Sequence, residues 1–157
     1  MSCSSYREIL NLVYRYPELI DAGDFEGVGD LFAEAAIVFE AGVGGEHVTM
    51  ELRGKREVQR SFESTTRRFP DDGTPHTRHL VSNPIVEIDE EAGTATCRSY
   101  ITVLQRTDDF PLQPVWSNRY EDRFGRTDGR WHFVHRRGFA HLPGDTSQHL
   151  LWGPEVG

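Results

Sequence analysis

The feature that most constrains the fold is a single change of hydrophobic period along the chain. Apolar residues recur at helical spacing up to about Phe69, and from His79 onward they alternate with polar residues at strand spacing. Helices followed by a run of long strands predict an α+β fold, with the helices on one side of a curved antiparallel sheet. Such a sheet, wrapped around N-terminal helices, forms a cone whose open mouth is a natural small-molecule pocket.

Three helices are predicted before the change of period. The first covers Tyr6–Ala22, where Pro17 either kinks the helix or begins a new turn, and Gly23 ends it. Asp24 can cap the second helix, which the segment DFEGVGDLFAEAA indicates. A hairpin of the segments IVFEA and VTMELRG precedes the third helix, Lys55–Phe69.

Four long strands are predicted after the helices, at His79–Ile88, Thr94–Arg106, Leu112–Phe124 and Arg130–Phe139. The tail, residues 142–157, then carries the apolar residues Leu150, Leu151 and Trp152. An apolar cluster in a tail usually covers something, so we expect it to lie over the cavity or against a neighbouring subunit. No repeat or linker divides the sequence, and residues 1–157 therefore form one predicted domain.

Charge and cysteine content exclude several classes of function. The formal net charge of −8 argues against a nucleic-acid partner, because phosphate binding requires a basic surface. No apolar run approaches membrane-spanning length, so no membrane partner is expected. Cys3 and Cys97 lie far apart, which predicts free thiols in a reduced, cytoplasmic protein and excludes a cysteine-type zinc site.

One acid and one histidine are the first candidates for chemistry. Asp21 closes the first helix, where the helix dipole disfavours a negative charge, which hints at a second purpose. His79 enters the first long strand and shares a face with Val81 and Asn83. If the fold brings Asp21 and His79 together, the pair can remove a proton from a substrate carbon. The alternative is a histidine that is only hydrogen-bonded within its strand.

Metal and cofactor chemistry are not expected. His76 stands in an HxxH spacing with His79, but it lies in a loop. Such spacing on non-helical backbone is weak evidence for a metal, and the sequence offers no carboxylate cluster to complete the ligand set.

The penultimate strand places an aromatic and polar set on one face, namely Trp116, Asn118, Tyr120, Asp122 and Phe124. A pocket lined by aromatic rings and one amide suits a small apolar ligand with one polar handle. The candidate substrate-binding residues are therefore Trp116, Asn118 and Tyr120, with Tyr14 and Tyr100 as further candidates. Packing against a neighbouring subunit is the alternative.

Strict alternation in the last strand puts His132, Val134 and Arg136 on one face and Trp131, Phe133 and His135 on the other. An inward Arg136 would need a partner or an anionic ligand, because an unpaired buried cation is costly. An outward Arg136 is the alternative, and a bulge could exchange the two faces.

Four segments together resemble the SnoaL-like branch of the nuclear-transport-factor-2-like (NTF2-like) superfamily. They are YPELIDAGDFEGVGDLFAEAAIVFE, the helix start GKREV, HTRHLVSNPIVEIDEEAGTATCRSYITVL and NRYEDRFGRTDGRWHFVHRRG, and they span most of positions 6 to 139. The resemblance implies a cystatin-like α+β barrel. In motif pattern it is nearest to the scytalone dehydratases and hexachlorocyclohexane dehydrochlorinases.

The resemblance also implies roles for individual residues. In both of these enzyme families an aspartate at the end of the first helix orients a histidine base, and the matching positions are Asp21 and His79. The dehydrochlorinase arginine, five residues after a tryptophan, matches Arg136. The dehydratase asparagine falls near Asn118.

Two positions depart from these families. Ile20 stands where the dehydratase has a tyrosine, and Tyr16 stands where the dehydrochlorinase has a lysine. Tyr16 is kept as a candidate substrate-binding residue, and neither family's specific substrate is carried over.

These observations predict a cofactor-free enzyme, a lyase or an isomerase or cyclase. It would remove a proton from a small hydrophobic polyketide-like, steroid-like or cyclic compound, leading to elimination, dehydration or isomerisation. One rival is a non-catalytic ligand-binding protein or a β-subunit-like accessory protein of a ring-hydroxylating dioxygenase. Another is a cyclase or isomerase in which a carboxylate alone is the base. Relatives commonly form dimers or trimers, so a homodimer or homotrimer is expected.

Overall fold

The predicted α+β architecture is confirmed by the computed structural model, which describes residues 3–43 and 46–151. Helices dominate the first part of these residues, and long strands dominate the second. The elements are α1 (Cys3–Asp21), α2 (Phe25–Leu31), β1 (Ala36–Val43), β2 (Glu46–Arg53), α3 (Gly54–Thr65), β3 (Thr77–Asp89), β4 (Thr94–Thr107), β5 (Phe110–Thr127) and β6 (Arg130–Pro143). None of the helices in the described ranges is long and apolar enough to cross a membrane.

The strands form one curved sheet in the order β2-β1-β6-β5-β4-β3. Neighbouring strands are antiparallel except for β1 and β6, which run parallel. One face of the sheet is turned toward the helices, as the alternating burial along β4 shows. Its inward residues are Ala95, Cys97, Ser99, Ile101 and Val103. The helices fill the concave side, which makes the predicted cone.

Helix α1 packs one apolar stripe into the cone and ends at a glycine. Its buried residues Ile9, Val13 and Tyr16 recur at helical spacing. The helix continues through Pro17, so no new turn begins there. It ends because Gly23 adopts φ +72°, a left-handed conformation that glycine takes without steric cost. The side chain of Asp24 then accepts a hydrogen bond of 2.8 Å from the backbone N–H of Gly27 and caps α2.

Helix α3 is shorter than predicted because the residue after it pairs with the tail and does not continue the helix. Thr66 is already extended and pairs with Leu150 in an isolated β-bridge. Phe69, expected on the helix, instead stacks on His76 with ring centroids 4.5 Å apart. Helix α2 also stops early, at Leu31.

A bulge in β6 exchanges the two faces of this strand. The pairing with β5 shifts register between Arg123 and Phe124, so that Val134 is skipped. Trp131 and Phe133 therefore face the core, and so does Arg136 three residues later. The strict alternation expected from the sequence is wrong here for that reason.

The tail lies against its own domain up to residue 151. Its backbone is tied to the end of α3, where the N–H of Arg67 donates to the carbonyl of His149 at 2.9 Å. The amide of Gln105, on β4, donates to the carbonyl of Gln148 at 3.0 Å. Trp152 and the residues after it lie outside the described range. That the tail covers a ligand cavity stays a prediction.

Candidate active site

Asp21 and His79 meet at the inner end of α1. The carboxylate oxygen Oδ1 of Asp21 lies 2.6 Å from ring nitrogen Nδ1 of His79, and the other oxygen accepts the backbone N–H of His79 at 2.8 Å. The hydroxyl of Thr77 donates to Oδ1 at 2.8 Å. Both side chains are well covered, with 5% of His79 and 13% of Asp21 exposed. The fold therefore produces the pair that the sequence predicts.

The surroundings keep the Asp21 carboxylate ionised. Burial alone would raise the pKa of Asp21, but the hydrogen bonds from His79 and Thr77 outweigh burial and lower it. An ionised carboxylate next to Nδ1 favours the tautomer that carries its proton on Nδ1. Nε2 is then left with a free lone pair, which is the arrangement a histidine base requires.

The other nitrogen of His79 is available. Among residues 3–43 and 46–151, no group hydrogen-bonds Nε2 of this ring. Two rings stand edge-on to it: Tyr16, with centroids 6.1 Å apart, and His149, at 6.2 Å. An imidazole with one nitrogen fixed and the other unengaged can accept a proton from a ligand held against these rings.

Four of the predicted substrate-binding residues form a continuous row of contacts that ends at this histidine. The indole N–H of Trp116 donates to the side-chain oxygen of Asn118. Burial raises the pKa of Tyr120, and Arg136 together with side-chain hydrogen bonds to Tyr16 and Asn118 opposes that rise in part. The rings of Tyr16 and Tyr120 lie 6.2 Å apart. The row thus combines aromatic walls with amide and hydroxyl groups.

Arg136 faces inward, and its partner is Asp122. Two parallel hydrogen bonds join the guanidinium to the carboxylate, at 2.8 Å from Nε and 2.9 Å from Nη2. Only 1% of the Arg136 side chain and none of Asp122 is exposed. Four rings surround the guanidinium carbon, those of Tyr120 at 4.2 Å, Tyr16 at 4.6 Å, and Phe32 and Phe133 at 5.1 Å.

This pairing changes what Arg136 can do. Burial would lower the pKa of its guanidinium, but Asp122 outweighs burial and raises it, so the charge is permanent. Among the described residues, none hydrogen-bonds the third nitrogen, Nη1, which is buried. Burial raises the pKa values of Tyr16 and Tyr120, and the charge of Arg136 opposes part of that rise. Arg136 therefore acts on the site through these two tyrosines.

Two predicted lining residues do not belong to this site. Tyr100 is 50% exposed, because it lies between the inward residues Ser99 and Ile101 and so faces the outer side of the sheet. Tyr14 is 44% exposed, because it lies outside the buried stripe of α1. Their assignment as pocket residues is corrected.

His149 is a site residue that the sequence did not identify. It belongs to the tail, is 7% exposed, and turns its ring toward His79. Burial, reinforced by His79 and opposed by Asp21, lowers the pKa of His149 to about 4. The apolar residues Leu150 and Leu151 predicted that the tail covers something, but nothing in the pattern indicated which ring it would meet.

We expect stability to fall with acidity through His149. The folded protein holds this imidazole neutral down to about pH 4, whereas the unfolded chain protonates it near 6.5. Between these values the unfolded state binds more protons, so stability is full above pH 6.5 and falls as the pH drops. The loss is expected to reach up to about 3 kcal/mol. Urea denaturation at several pH values checks it, and an equally steep decline in His149→Phe would contradict it.

A groove of about 720 Å³ opens beside the outer side of the pair. Asp21 and Thr77 line it together with His76, Arg78, Gln105 and Leu112, whereas His79 does not. At its edge the exposed Asp71 and Asp72 bring their carboxylate oxygens near the ring of His76, within 4.8 Å of one another. The sequence interpretation missed these two acids. Within the described part of the chain they pair with His76 and form no closed ligand set.

The fold is shared with solved structures of low sequence identity. A cystatin-like protein of unknown function from Nostoc punctiforme is 23% identical, with a TM-score of 0.71 over 92% of this chain and 97% of the other. A candidate scytalone dehydratase from Novosphingobium aromaticivorans is 20% identical, with a TM-score of 0.63 over 90% and 87%. The beta subunit of a candidate aromatic-ring-hydroxylating dioxygenase from the same organism is 16% identical, with a TM-score of 0.69 over 93% and 95%.

Among curated proteins, none matches the chain. The family model of the SnoaL-like domain matches residues 1–137, which include α1, the whole of β3 and β6 as far as Arg137. The matched region contains Asp21, His79 and Arg136, while His149 lies beyond it. The chain therefore belongs to the SnoaL-like domain family.

Proposed function

We propose that the protein is a cofactor-free enzyme in which His79, oriented by Asp21, removes a proton from a carbon atom of a small hydrophobic ring compound. The observation that carries this proposal is the 2.6 Å contact between Asp21 Oδ1 and His79 Nδ1, while no described residue hydrogen-bonds Nε2. A positioned base of this kind contributes about 10²–10⁴-fold in rate. The SnoaL-like family and the dehydratase-like neighbour support it.

The proposed reaction requires no reactant other than the substrate. Nε2 of His79 takes the proton, and the electron pair of the broken C–H bond forms a new double bond. In an elimination the leaving group departs with its bonding electrons and takes up the proton from the imidazolium. In an isomerisation the same imidazolium returns the proton to another carbon. Asp21 stays ionised and stabilises the positive ring in between.

Developing negative charge would meet Asn118 and Tyr120 rather than a free cation. Arg136 already gives two of its nitrogens to Asp122, so its contribution comes from a positive charge behind Tyr16 and Tyr120. Preorganised dipoles of this kind stabilise an oxyanion or enolate in a site that excludes water. We therefore assign Arg136 a supporting role and Asn118 and Tyr120 the direct contacts.

Asp21 alone is disfavoured as the base. Both of its oxygens accept hydrogen bonds, and its lowered pKa makes it a weaker proton acceptor. This weighs against the carboxylate-only cyclase or isomerase.

A substrate screen tests the proposal. Small cyclic ketones and hydroxylated ring compounds are incubated in D₂O, and NMR follows exchange of carbon-bound protons or appearance of an elimination product. We expect wild type to act on at least one compound and His79→Gln to be inactive on it. His76→Gln, which changes a histidine of the groove edge, is the matched control and should stay active. Equal activity of wild type and His79→Gln would contradict the proposal.

A non-catalytic accessory role is the second candidate. It is favoured by the dioxygenase beta-subunit neighbour and by the way Arg136, Asp122 and four rings occupy the interior beneath the sheet. A protein of this kind would bind ring compounds or a catalytic subunit and exchange no protons in the screen.

We also propose that the protein forms a homodimer or homotrimer through the outer face of the sheet. Large apolar side chains are exposed on the strands there, among them Leu80, Ile85, Tyr100 and Val134. Sedimentation of wild type and of Tyr100→Glu would test this, and an unchanged mass for the variant would contradict it.

A further inference from the structure

The tail carries a histidine into the site at a fixed position. Three backbone hydrogen bonds hold residues 149–151: the N–H of Arg67 donates to His149, the N–H of His149 donates to Thr146 at 2.9 Å, and the N–H of Leu151 donates to Thr65 at 2.8 Å. With its backbone held on both sides, His149 presents its ring edge-on to His79 at 6.2 Å. The tail therefore places a polar side chain beside His79.

One ring nitrogen of His149 is buried and unsatisfied. Among the described residues, Nδ1 has no hydrogen-bond partner, although the side chain is more than nine-tenths buried. Most buried polar atoms in folded proteins are paired, and an unpaired one costs stability. Asp21 does not supply this partner, because both of its oxygens already accept hydrogen bonds from His79 or Thr77. Within the described residues, Nδ1 of His149 therefore keeps its capacity to hydrogen-bond a bound molecule.

The surroundings limit what that atom can be. Burial keeps the His149 ring neutral near pH 7, so it offers one donor and one acceptor. The negative charge of Asp21 acts on this ring and disfavours an anion beside it. Tyr16 supplies an aromatic wall beside His79. A neutral hydroxyl or carbonyl on a small ring compound satisfies all of these conditions.

We infer that His149 is a second substrate-contacting residue, whose buried Nδ1 hydrogen-bonds an oxygen substituent of the ring compound while His79 faces its carbon-bound proton. The inference rests on the proposed function for the part that concerns His79. It adds the specificity: oxygen-bearing rings are preferred over plain hydrocarbons of the same shape. His149 positions the substrate and gives up no proton.

The test compares 2-naphthol with naphthalene, two rings that differ by one hydroxyl. Their dissociation constants are measured by NMR titration of wild type, His149→Phe, His149→Gln and His141→Phe, the last being an exposed histidine at the end of β6. We expect wild type and His141→Phe to bind 2-naphthol about tenfold tighter than naphthalene, the gain of one hydrogen bond to a buried group. His149→Phe should lose the preference while binding naphthalene, and His149→Gln should recover part of it.

The melting temperature of each variant shows whether a change in binding comes from unfolding. Because Nδ1 is unpaired in the free protein, His149→Phe should melt at least as high as wild type. Retention of the 2-naphthol preference in His149→Phe overturns the inference, and so does the absence of a preference, or of any binding, in wild type. If 2-naphthol is preferred through His149 but no compound exchanges a proton, the proposed function is contradicted and this inference is not. If proton exchange depends on His79 but His149→Phe keeps the 2-naphthol preference, this inference is contradicted and the proposed function is not.

Discussion

Replacing His79 with glutamine is expected to lower turnover of a responsive substrate by about 10²–10⁴-fold, the contribution of a positioned base. Glutamine keeps a polar side chain of similar length but accepts no proton from carbon. The loss should fall on kcat, because the walls formed by Tyr16 and Tyr120 remain to bind the substrate. Steady-state kinetics on a compound found in the D₂O screen measures it.

Asp21→Asn should cause a loss of similar or larger size for a different reason. An asparagine amide can donate to Nδ1 of His79, which places the remaining ring proton on Nε2 and removes the free lone pair. Substrate affinity should change little in both variants. If His79→Gln keeps its turnover while Asp21→Asn is inactive, the carboxylate is the base and the assignment of His79 is wrong.

The second large effect concerns stability. Asp122→Leu is expected to destabilise the protein by about 3–5 kcal/mol, because it leaves the charge of Arg136 buried without a counter-ion. The ring contacts of Arg136 do not replace the lost carboxylate, and the guanidinium cannot escape the penalty by losing its proton, because arginine stays protonated in proteins. The free energy of unfolding from urea denaturation measures the effect.

A double variant separates charge from shape. Asp122→Leu combined with Arg136→Met removes both charges and keeps apolar volume, so it should recover most of the lost stability. Glu18→Gln is the control, because it breaks the exposed pair with Arg15 and should change stability immeasurably. A single Asp122→Leu variant as stable as Glu18→Gln would contradict the buried-pair description.

The candidate pair could be predicted because its placement depends on local signals. Gly23 and Asp24 mark the end of α1, and Asp21 is the last residue of that helix. Strand alternation puts His79 on the inner face of β3. The resemblance to a family then connects two positions that lie 58 residues apart in the chain.

Other features depend on information that a local pattern does not carry. The bulge at Val134 arises from pairing between β5 and β6, and it alone turns Trp131 and Arg136 to the same face. The meeting of His149 with His79 depends on where the tail bonds the end of α3. Tyr100 was misplaced because an aromatic residue in a strand can serve either face, and only the neighbouring buried residues decide which.

The proposed chemistry requires that Asp21 holds His79 with its proton on Nδ1 and its lone pair on Nε2. Nitrogen-15 NMR of histidine-labelled protein at about pH 9, above the ordinary histidine range, tests this without a substrate. We predict a protonated Nδ1 and an unprotonated Nε2 for His79, with the pattern lost in Asp21→Asn. A His79 ring protonated on Nε2 in the wild-type protein would contradict the account.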